Sequence, residues 1–501
     1  MQRLYYLLLF PHGSVADVIG SIATSRNISS YAIGNCTKAC NELSNEFKDR
    51  LHFKENDANF TIWDQKQLQT IYSCRVEPTS ADEVSSVLSI LTMNWCRFAV
   101  KCGGHSRFPD DSVSVGGVTI DMGRINTTLV SEDQRTARVG GGSTSRQVFG
   151  ALEPYGLAYL GGRVGQVGMG GFTLGGGTSV LSAKYGWALD NVFEYEIVLP
   201  NATIVTVNET QHPELYFALR GGGNNFGIVT SFTVGVFPQP PVYTGSRVFG
   251  DNQTSRFLEE AEKVFTLQDE EDTNLGLEYT YSYSPAQDRY SMSSTQRYAL
   301  PVQHPSAFDA LNQVPAETDL LGGINSLANN TRGGGPLGLT RNVFTTLTHY
   351  PSQELSNRAI EIYKEEVQAV RNVSGITAQL ITYTIPATAI RNMGLRGGNA
   401  LGIKAPGHLL INLLAVGWTN QRDDATAIAF ADSFIGRFRE AAVDLEVFHP
   451  FIYINYASPG QDVFSGYGNE NQKRLVAIQE AIDPWGIFTS KGLWRGFFKV
   501  R

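Results

Sequence analysis

The sequence predicts an α+β fold with short, glycine-punctuated strands in its first half and an antiparallel sheet backed by helices in its second half. Two observations carry this prediction. The segment "LEYTYSYS" at 277–284 alternates apolar and polar residues, which is typical of a strand with one buried face. Such strands are interleaved with helical stretches, for example "SRFLEEAEKVFTLQ" at 255–268, a pattern that favours an antiparallel sheet covered by helices.

Residues 1–16 are predicted to be a signal peptide. Arg3 precedes the apolar run 4–10, and residues 14–16 supply the small side chains that signal peptidase prefers. The alternative is the start of a buried strand or helix, because the apolar run is short. Asn-x-Ser/Thr sequons favour a glycosylated protein that is secreted or held in vesicles. The nine sequon asparagines are Asn27, Asn35, Asn59, Asn126, Asn201, Asn208, Asn252, Asn329 and Asn372.

Charge and composition exclude several classes of partner. The chain has 40 basic and 48 acidic residues, a net charge of −8, which argues against nucleic acid or an anionic membrane as a partner. No later segment is long and apolar enough to span a bilayer. The eight histidines are scattered and no Cys/His spacing resembles a zinc site, so no metal is expected.

All the cysteines lie in the first fifth of the chain. In a secreted protein they predict one or two disulfide bonds. Their odd number leaves at least one thiol unpaired, and the pairing stays open at this point. The five cysteines are Cys36, Cys40, Cys74, Cys96 and Cys102.

A capped helix and a short strand lead to the first motif that points to chemistry. Ser80 and Glu83 form a capping-box pattern, after which apolar residues recur at helical spacing. The helix gives way to the strand "RFAV" at 97–100. This strand is followed by the turn "GGHS" at 103–106, which places His105 where the backbone is most permissive.

Three glycine clusters, at 103–104, 161–177 and 221–227, require an explanation. No Gly-Lys pair occurs, which excludes a Walker phosphate loop, and "GRVGQVGMGG" lacks the spacing of a Rossmann fingerprint. Glycine leaves backbone N–H groups unshielded, so that they can approach a diphosphate and donate to it. A purely structural turn is the alternative for the cluster at 221–227, but three clusters before residue 240 favour a ligand.

Four motifs resemble the berberine-bridge-enzyme-like branch of the vanillyl-alcohol-oxidase flavoproteins, and within it the fungal FAD-linked oxidoreductases. They are "KCGGHS" at 101–106, the glycine-rich run at 164–192, "LRGGGNNFGIVTSF" at 219–232 and the C-terminal segment that begins with "YINYA" at 453–457. The motifs occur in the family's order, and the resemblance covers nearly the whole chain from about residue 65.

The resemblance implies how the domains are arranged. A two-part FAD-binding domain of the PCMH type is expected at 17–240, and a substrate-binding domain with the antiparallel sheet at 241–450. The segment 451–501 is expected to contain a strand, "FIYINYA", and a helix, and to return to the FAD domain.

The resemblance also implies FAD as the cofactor, bonded covalently through His105 to the 8α-methyl group of the flavin. An ordinary turn histidine is the alternative. Many members carry a second tether, a cysteine at the position of Val164. Because no cysteine lies beyond Cys102, a single histidyl link is expected. The other cofactor-binding residues implied by the matching motifs are Gly103, Gly104, Ser106, Gly140, Gly142, Gly165, Gly168, Gly170, Gly171, Asn191, Gly227, Val229 and Asn471.

In the chemistry that the resemblance implies, Tyr453 removes a proton while a hydride passes to the flavin, and Asn455 is turned towards the flavin. The alternative for Tyr453 is an aromatic residue of a strand packed in the core. Dioxygen would reoxidise the flavin and yield H2O2. The absence of a visible NAD(P)H site favours an oxidase over a monooxygenase.

The expected function is oxidation of an alcohol or an activated C–H bond in a small molecule of secondary metabolism. The single tether favours a small, enclosed substrate, because doubly tethered members typically have open sites for oligosaccharides. A carbohydrate oxidase and a secreted FAD-binding protein without turnover are the alternatives. A secreted hydrolase is a third, against which the lack of a G-x-S-x-G elbow argues.

Overall fold

The computed structural model describes residues 30–331 and 337–501. The predicted signal peptide at 1–16 and the sequon at Asn27 lie outside the described residues. No helix in the described ranges is long and apolar enough to cross a membrane. The α-helices are α1 (Ser30–Phe47), α2 (Gln65–Leu68), α3 (Ala81–Met93), α4 (Ser145–Leu152), α5 (Met169–Leu174), α6 (Ser182–Tyr185), α7 (Pro213–Leu219), α8 (Thr254–Glu270), α9 (Asp309–Asn312), α10 (Leu327–Asn330), α11 (Gln353–Glu366), α12 (Ala387–Asn392), α13 (Asp424–Asp444) and α14 (Asn469–Ile482).

The first sheet has four strands in the order β1-β2-β4-β3, of which β2, β4 and β3 run parallel and β1 pairs antiparallel with β2. Helix α3 packs its apolar stripe into the same buried cluster as the strands. The end of β3 leads directly into the "GGHS" turn. The strands are β1 (Leu51–Phe53), β2 (Cys74–Val76), β3 (Phe98–Lys101) and β4 (Val118–Asp121).

The helix predicted from the capping pattern is confirmed as α3. Ser80 Oγ accepts a hydrogen bond from the backbone N–H of Glu83 at 3.2 Å. The return bond differs from the expected box, because the Glu83 carboxylate accepts from the N–H of Thr79 at 2.7 Å. The same carboxylate accepts from Arg50 at 2.8 Å, which ties the helix start to the segment before β1.

Two disulfide bonds hold α1 against the first sheet. Cys36 is bonded to Cys96, which precedes β3, and Cys40 is bonded to Cys74 of β2. The prediction of one or two disulfides is confirmed at two, and the pairing that the sequence left open is thereby assigned. Cys102 is the unpaired thiol, and burial raises its pKa to about 12.

The second sheet is antiparallel, with the strand order β5-β6-β10-β8-β9. A short antiparallel pair, β7 with β11, lies beside it. The glycine-rich run at 161–177 connects these elements through turns and α5. The strands are β5 (Thr128–Val130), β6 (Thr136–Gly140), β7 (Leu157–Ala158), β8 (Val192–Val198), β9 (Ile204–Asn208), β10 (Ile228–Gly235) and β11 (Phe237–Pro238).

The third sheet has eight antiparallel strands in the order β15-β12-β14-β13-β17-β18-β16-β19. Helices α8, α11 and α13 bury their apolar sides against one face of it. The predicted antiparallel sheet backed by helices is confirmed, while the domain boundaries at 240 and 450 stay predictions. The strands are β12 (Val242–Gly250), β13 (Leu275–Ser284), β14 (Arg289–Tyr298), β15 (Thr318–Asn325), β16 (Arg341–His349), β17 (Thr377–Ile385), β18 (Leu409–Trp418) and β19 (Phe448–His449).

The strand predicted for "FIYINYA" at 451–457 is wrong. The last strand, β19, ends at His449, and Tyr453 lies at the start of a turn. Its carbonyl oxygen accepts hydrogen bonds from the N–H groups of Tyr456 at 2.9 Å and Ala457 at 3.0 Å. These local bonds replace a strand ladder. The helix predicted after this segment is present as α14.

Most of the sequon asparagines are accessible. Among the described residues, Asn35 and Asn208 are half-buried and the other six are exposed. Their glycosylation stays a prediction. The exposed asparagines are Asn59, Asn126, Asn201, Asn252, Asn329 and Asn372.

Candidate active site

A cavity of about 630 Å³ lies between the glycine-rich segments and the inner face of the third sheet. The sheet lines it because side chains alternate between the two faces of each strand. In β17, Ala378 and Leu380 belong to the apolar cluster under the helices, whereas Thr377, Gln379 and Ile381 line the cavity. The remaining walls come from the "GGHS" turn, the run at 162–174 and the turn that carries Tyr453.

Two glycine segments form one wall through direct backbone contact. A Cβ atom added to Gly103 would lie 2.3 Å from the backbone nitrogen of Gly168, and one added to Gly168 would lie 2.2 Å from the nitrogen of Gly103. Gly104 adopts φ +70°, which disfavours any other residue. Within the described ranges, the backbone N–H groups of residues 103–106 donate to no protein acceptor. The wall therefore presents unused donors, as diphosphate sites do.

His105 projects from this wall with its ring stacked on Trp63. The ring centroids are 4.0 Å apart and the interplanar angle is 11°. Burial lowers the pKa of His105 to about 4, and the positive charge of Arg107 contributes to the shift. The imidazole is therefore neutral at physiological pH and keeps a ring nitrogen lone pair available for bonding.

Tyr453 is 1% exposed, and its phenolic oxygen receives two hydrogen bonds. The backbone N–H of Gly177 and Asn455 Nδ2 both donate to Tyr453 Oη at 3.0 Å. Asn455 Nδ2 also donates to the carbonyl oxygen of Phe172 on α5 at 3.0 Å, which fixes the amide. Burial raises the pKa of Tyr453 to about 12, and the two donors oppose this rise because they stabilise the phenolate.

Arg107 connects the histidine segment to the tyrosine turn. Its Nη1 donates to the carbonyl oxygen of Asn455 and its Nη2 to that of Ala457, both at 3.2 Å. The guanidinium lies 4.4 Å from the ring centroid of Phe344, on β16. The position of the Tyr453 turn thus depends on a side chain two residues after His105.

A charged group also lines the cavity, next to the turn that carries Tyr453. Arg163 Nη1 lies 2.6 Å from Glu278 Oε2, and Arg163 Nη2 donates to Tyr456 Oη at 2.8 Å. Arg297 of β14 lines the same region. Among the described residues, no group of three His, Cys, Asp or Glu side chains is suited to hold a metal ion.

Comparison with known proteins identifies the family of this chain. Residues 72–208 match the FAD binding domain model. The chain is 32% identical to the FAD-dependent monooxygenase tpcD of Cochliobolus heterostrophus over 505 residues, which cover 94% of this chain and 95% of the relative. The protein belongs to the family of FAD-dependent oxidoreductases that includes this relative.

Solved structures share the fold of this FAD-linked oxidoreductase. The 6-hydroxy-D-nicotine oxidase of Arthrobacter nicotinovorans aligns with a TM-score of 0.76 at 20% identity, covering 90% of this chain and 97% of its own. The xylooligosaccharide oxidase of Myceliophthora thermophila aligns with a TM-score of 0.71 at 19% identity, covering 94% and 100%. The glycine wall fits an FAD cofactor, because its unpaired N–H groups are the donors that a diphosphate requires.

The structure brings together most of the residues predicted for the site of this oxidoreductase. They converge on the cavity from four separate parts of the sequence. Those that line it are Gly103, Gly104, His105, Ser106, Gly168, Gly170, Gly171, Gly227, Val229, Tyr453 and Asn455.

Five other predicted residues are not among those that line the cavity. Gly140, Gly142 and Gly165 lie so close to backbone carbonyl groups of neighbouring segments that a Cβ atom would collide with them. Asn191 and Asn471 donate their side-chain N–H groups to backbone carbonyl oxygens. In this structure they support the segments around the cavity, and their roles in cofactor binding stay predictions.

The sequence motifs did not identify five further residues that line the cavity of the oxidoreductase. They are Trp63, Arg107, Arg163, Glu278 and Arg297. A signal for two of them, Arg163 and Glu278, is present in the sequence. Arg163 is a lone charge within a glycine-rich apolar run, and Glu278 lies in a strand that otherwise alternates tyrosine or leucine with small hydroxyl residues. Charged residues at such positions are costly unless they have partners or a ligand.

The contact between the two glycine segments provides a test of the wall that they form. We expect Gly168→Ala to destabilise the oxidoreductase by about 1–3 kcal/mol and to reduce its FAD content, because the added methyl group overlaps the backbone of Gly103. Gly150→Ala is the matched control, since no atom lies within 4 Å of its Cβ position on α4. Thermal unfolding and flavin absorbance measure both effects. Full flavin content with unchanged unfolding temperature in Gly168→Ala would contradict the account of this wall.

Proposed function

We propose that the protein is an FAD-dependent oxidase that oxidises an alcohol or an activated C–H bond of a small secondary metabolite. The observation that carries this proposal is the phenolic oxygen of Tyr453, which receives two N–H donors inside the cavity that His105 also lines. Such a pair of donors stabilises a phenolate, the form of tyrosine that accepts a proton. The bound FAD would accept a hydride from the substrate and pass the electrons to O2, which yields H2O2.

His105 is proposed to hold the flavin through one covalent bond to its 8α carbon. The neutral imidazole supports this assignment, because a ring nitrogen is free to form the bond. Val164 stands where many relatives would carry a second tether. All five cysteines lie in the described part of the chain, where Cys102 is the only unpaired thiol. The backbone of residues 103–106, with Gly168 and Gly170 facing it, is proposed to bind the diphosphate.

Tyr453 is proposed to remove the proton and Asn455 to keep its phenolic oxygen aimed at the substrate. The cavity is lined mainly by apolar side chains and is closed on one side by the third sheet, which limits the access of water. These features support a small substrate. The two disulfide bonds support passage through an oxidising compartment, so we also propose that the protein is secreted or vesicular and N-glycosylated.

A monooxygenase is the second candidate function. The observation in its favour is the name of the relative from Cochliobolus heterostrophus, an FAD-dependent monooxygenase. The two functions differ in the fate of oxygen, since an oxidase releases it as H2O2 and a monooxygenase inserts one atom into the product.

Oxygen uptake by the purified flavoprotein tests the proposal against a panel of alcohols, phenolic and polyketide metabolites, and sugars. We expect uptake with a small metabolite, equimolar release of H2O2 and no need for NAD(P)H. Incorporation of ¹⁸O from labelled dioxygen into the product would instead support the monooxygenase. A response to oligosaccharides alone would overturn the proposed substrate class, and no response at all would support a flavin-binding protein without turnover.

A further inference from the structure

We infer that the substrate of this oxidase is a small apolar carboxylic acid whose carboxylate binds between Arg163 and Arg297. The inference rests on the proposed function, because it takes the ligand of the cavity to be the substrate. It is carried by two guanidinium groups and a single carboxylate that line the cavity close to one another.

Arg163 is held rigidly by the protein. Its Nη1 pairs with Glu278 Oε2 at 2.6 Å and its Nη2 donates to Tyr456 Oη at 2.8 Å. The guanidinium also lies 4.0 Å from the ring centroid of Tyr383, a cation–π contact. The side chains of Arg163 and Glu278 remain 17% and 20% exposed, although both line an internal cavity. Part of this ion pair is therefore accessible to a ligand.

Arg297 is fixed by its strand but lacks a partner of its own. Within the described ranges, no protein group accepts a hydrogen bond from its guanidinium or forms an ion pair with it. In the pairing of β13 with β14, Arg297 lies opposite Gly276, and Glu278 lies opposite Thr295, so Arg297 and Glu278 are diagonal neighbours on one face. Gly276 has no side chain, and a Cβ atom added there would lie 3.4 Å from Arg297 Cβ, so a larger residue at this position would crowd the arginine.

The charges in this part of the cavity do not balance. Burial lowers the pKa of Arg297; Glu278 opposes this effect and the charge of Arg163 adds to it. Glu278 already interacts with both arginines. Burial raises the pKa of its carboxyl group, but the charges of Arg163 and Arg297 together outweigh burial, so that the pKa is lowered. One additional carboxylate would neutralise the excess positive charge and give Arg297 the paired acceptor oxygens that its planar guanidinium prefers.

The diphosphate of FAD is the other anion expected in the cavity, but its donors belong to a different wall. The unpaired N–H groups of residues 103–106 lie on the glycine wall, whereas Glu278 and Arg297 belong to the third sheet. Arg163 belongs to the glycine-rich run at 161–177, but its guanidinium pairs with Glu278 of the sheet. The remaining charges, Arg107 and Asp111, lie beside the glycine wall, where Asp111 accepts from Ser106 Oγ.

The neighbours of the arginines define the rest of the ligand. The third sheet contributes Phe344, Ile381, Leu413 and Ala415 to the same cavity, which favours an apolar body. Tyr456 Oη accepts from Arg163, and the ring centroid of Tyr456 lies 4.8 Å from that of Tyr453. A carboxylate at Arg163 thus places the adjoining carbons of a small acid near the proposed base.

Calorimetric titration of the purified flavoprotein tests this inference. The probes are benzoate, 3-phenylpropionate and cyclohexanecarboxylate, each compared with its methyl ester. We expect each acid to bind at least about tenfold more tightly than its ester, which corresponds to ~1.4 kcal/mol. Arg297→Gln should weaken the binding of the acids about tenfold or more, leave the esters unchanged and retain the flavin. Arg297→Lys should retain part of the preference, since it keeps the charge.

Arg289→Gln is the matched control, because Arg289 lies on the same strand but is exposed and pairs with Glu317. It should change neither acid nor ester binding. Equal binding of acids and esters, no binding of any acid, or loss of flavin from Arg297→Gln would overturn the inference. Tight, Arg297-dependent binding of an acid without oxygen uptake by any substrate would leave the carboxylate-binding site standing and overturn the proposed oxidase function instead.

Discussion

Replacement of His105 by alanine is expected to leave no flavin attached to the acid-denatured protein. Unfolding in acid breaks every non-covalent contact of a cofactor, so only a covalent bond keeps flavin fluorescence in the washed precipitate. In the native protein the neutral ring of His105 lines the cavity and is held by stacking on Trp63. The wild-type precipitate should therefore fluoresce, and the His105→Ala precipitate should not.

The control for this experiment is His52→Ala. His52 lies on β1, where it faces Glu77, and does not line the cavity, so its loss should leave the attached flavin unchanged. Flavin that washes away from the denatured wild-type protein would show that the link is absent. Flavin retained by His105→Ala would show that another residue forms it.

Replacement of Tyr453 by phenylalanine is expected to lower the rate of substrate oxidation about 10²–10⁴-fold, the usual contribution of a positioned general base. The ring stays in place, but the two hydrogen bonds to Tyr453 Oη from Gly177 and Asn455 are lost. Because the pKa of this tyrosine is raised to about 12, the fraction of phenolate grows with pH. The wild-type kcat should therefore rise with pH through the neutral and alkaline range, and that of Tyr453→Phe should be flat.

Tyr467→Phe is the matched control for the tyrosine. Tyr467 is also buried and donates to the carbonyl oxygen of Gly221 at 3.1 Å, but it does not line the cavity. It should lose some stability and keep both the rate and its pH dependence. A wild-type rate in Tyr453→Phe would exclude this residue as the base and favour its alternative interpretation as a packed core aromatic.

Patterns that depend on neighbouring residues were readable in the sequence. The cap at Ser80 defined the start of α3, and the alternation in 277–284 matched β13. The segment around Tyr453 was misread as a strand, because aromatic and branched residues favour strands unless local turn bonds compete with the ladder. The hydrogen bonds from the N–H groups of Tyr456 and Ala457 to the carbonyl oxygen of Tyr453 are such turn bonds. No residue type in the segment predicts them.

Contacts between segments that are distant in the chain could not be predicted from the sequence. Alternation shows that Glu278 and Leu277 face opposite sides of β13, but it does not tell which side meets the helices and which lines the cavity. The contact between Gly103 and Gly168 joins residues far apart in the chain, and it appears in the sequence only as two glycines. For this reason the glycine motifs indicated a cofactor, whereas the cluster of Arg163, Glu278 and Arg297 was found only in the structure.

The two hydrogen bonds that Arg107 makes across the cavity have a consequence for how the molecule matures. They link the segment that receives the cofactor to the turn that carries the tyrosine, although about 350 residues of chain separate the donor from its acceptors. Assembly of the catalytic apparatus is therefore a late event that waits for the C-terminal residues to be synthesised and docked. A nascent or truncated chain lacking those residues would have the histidine segment without the tyrosine turn that it holds.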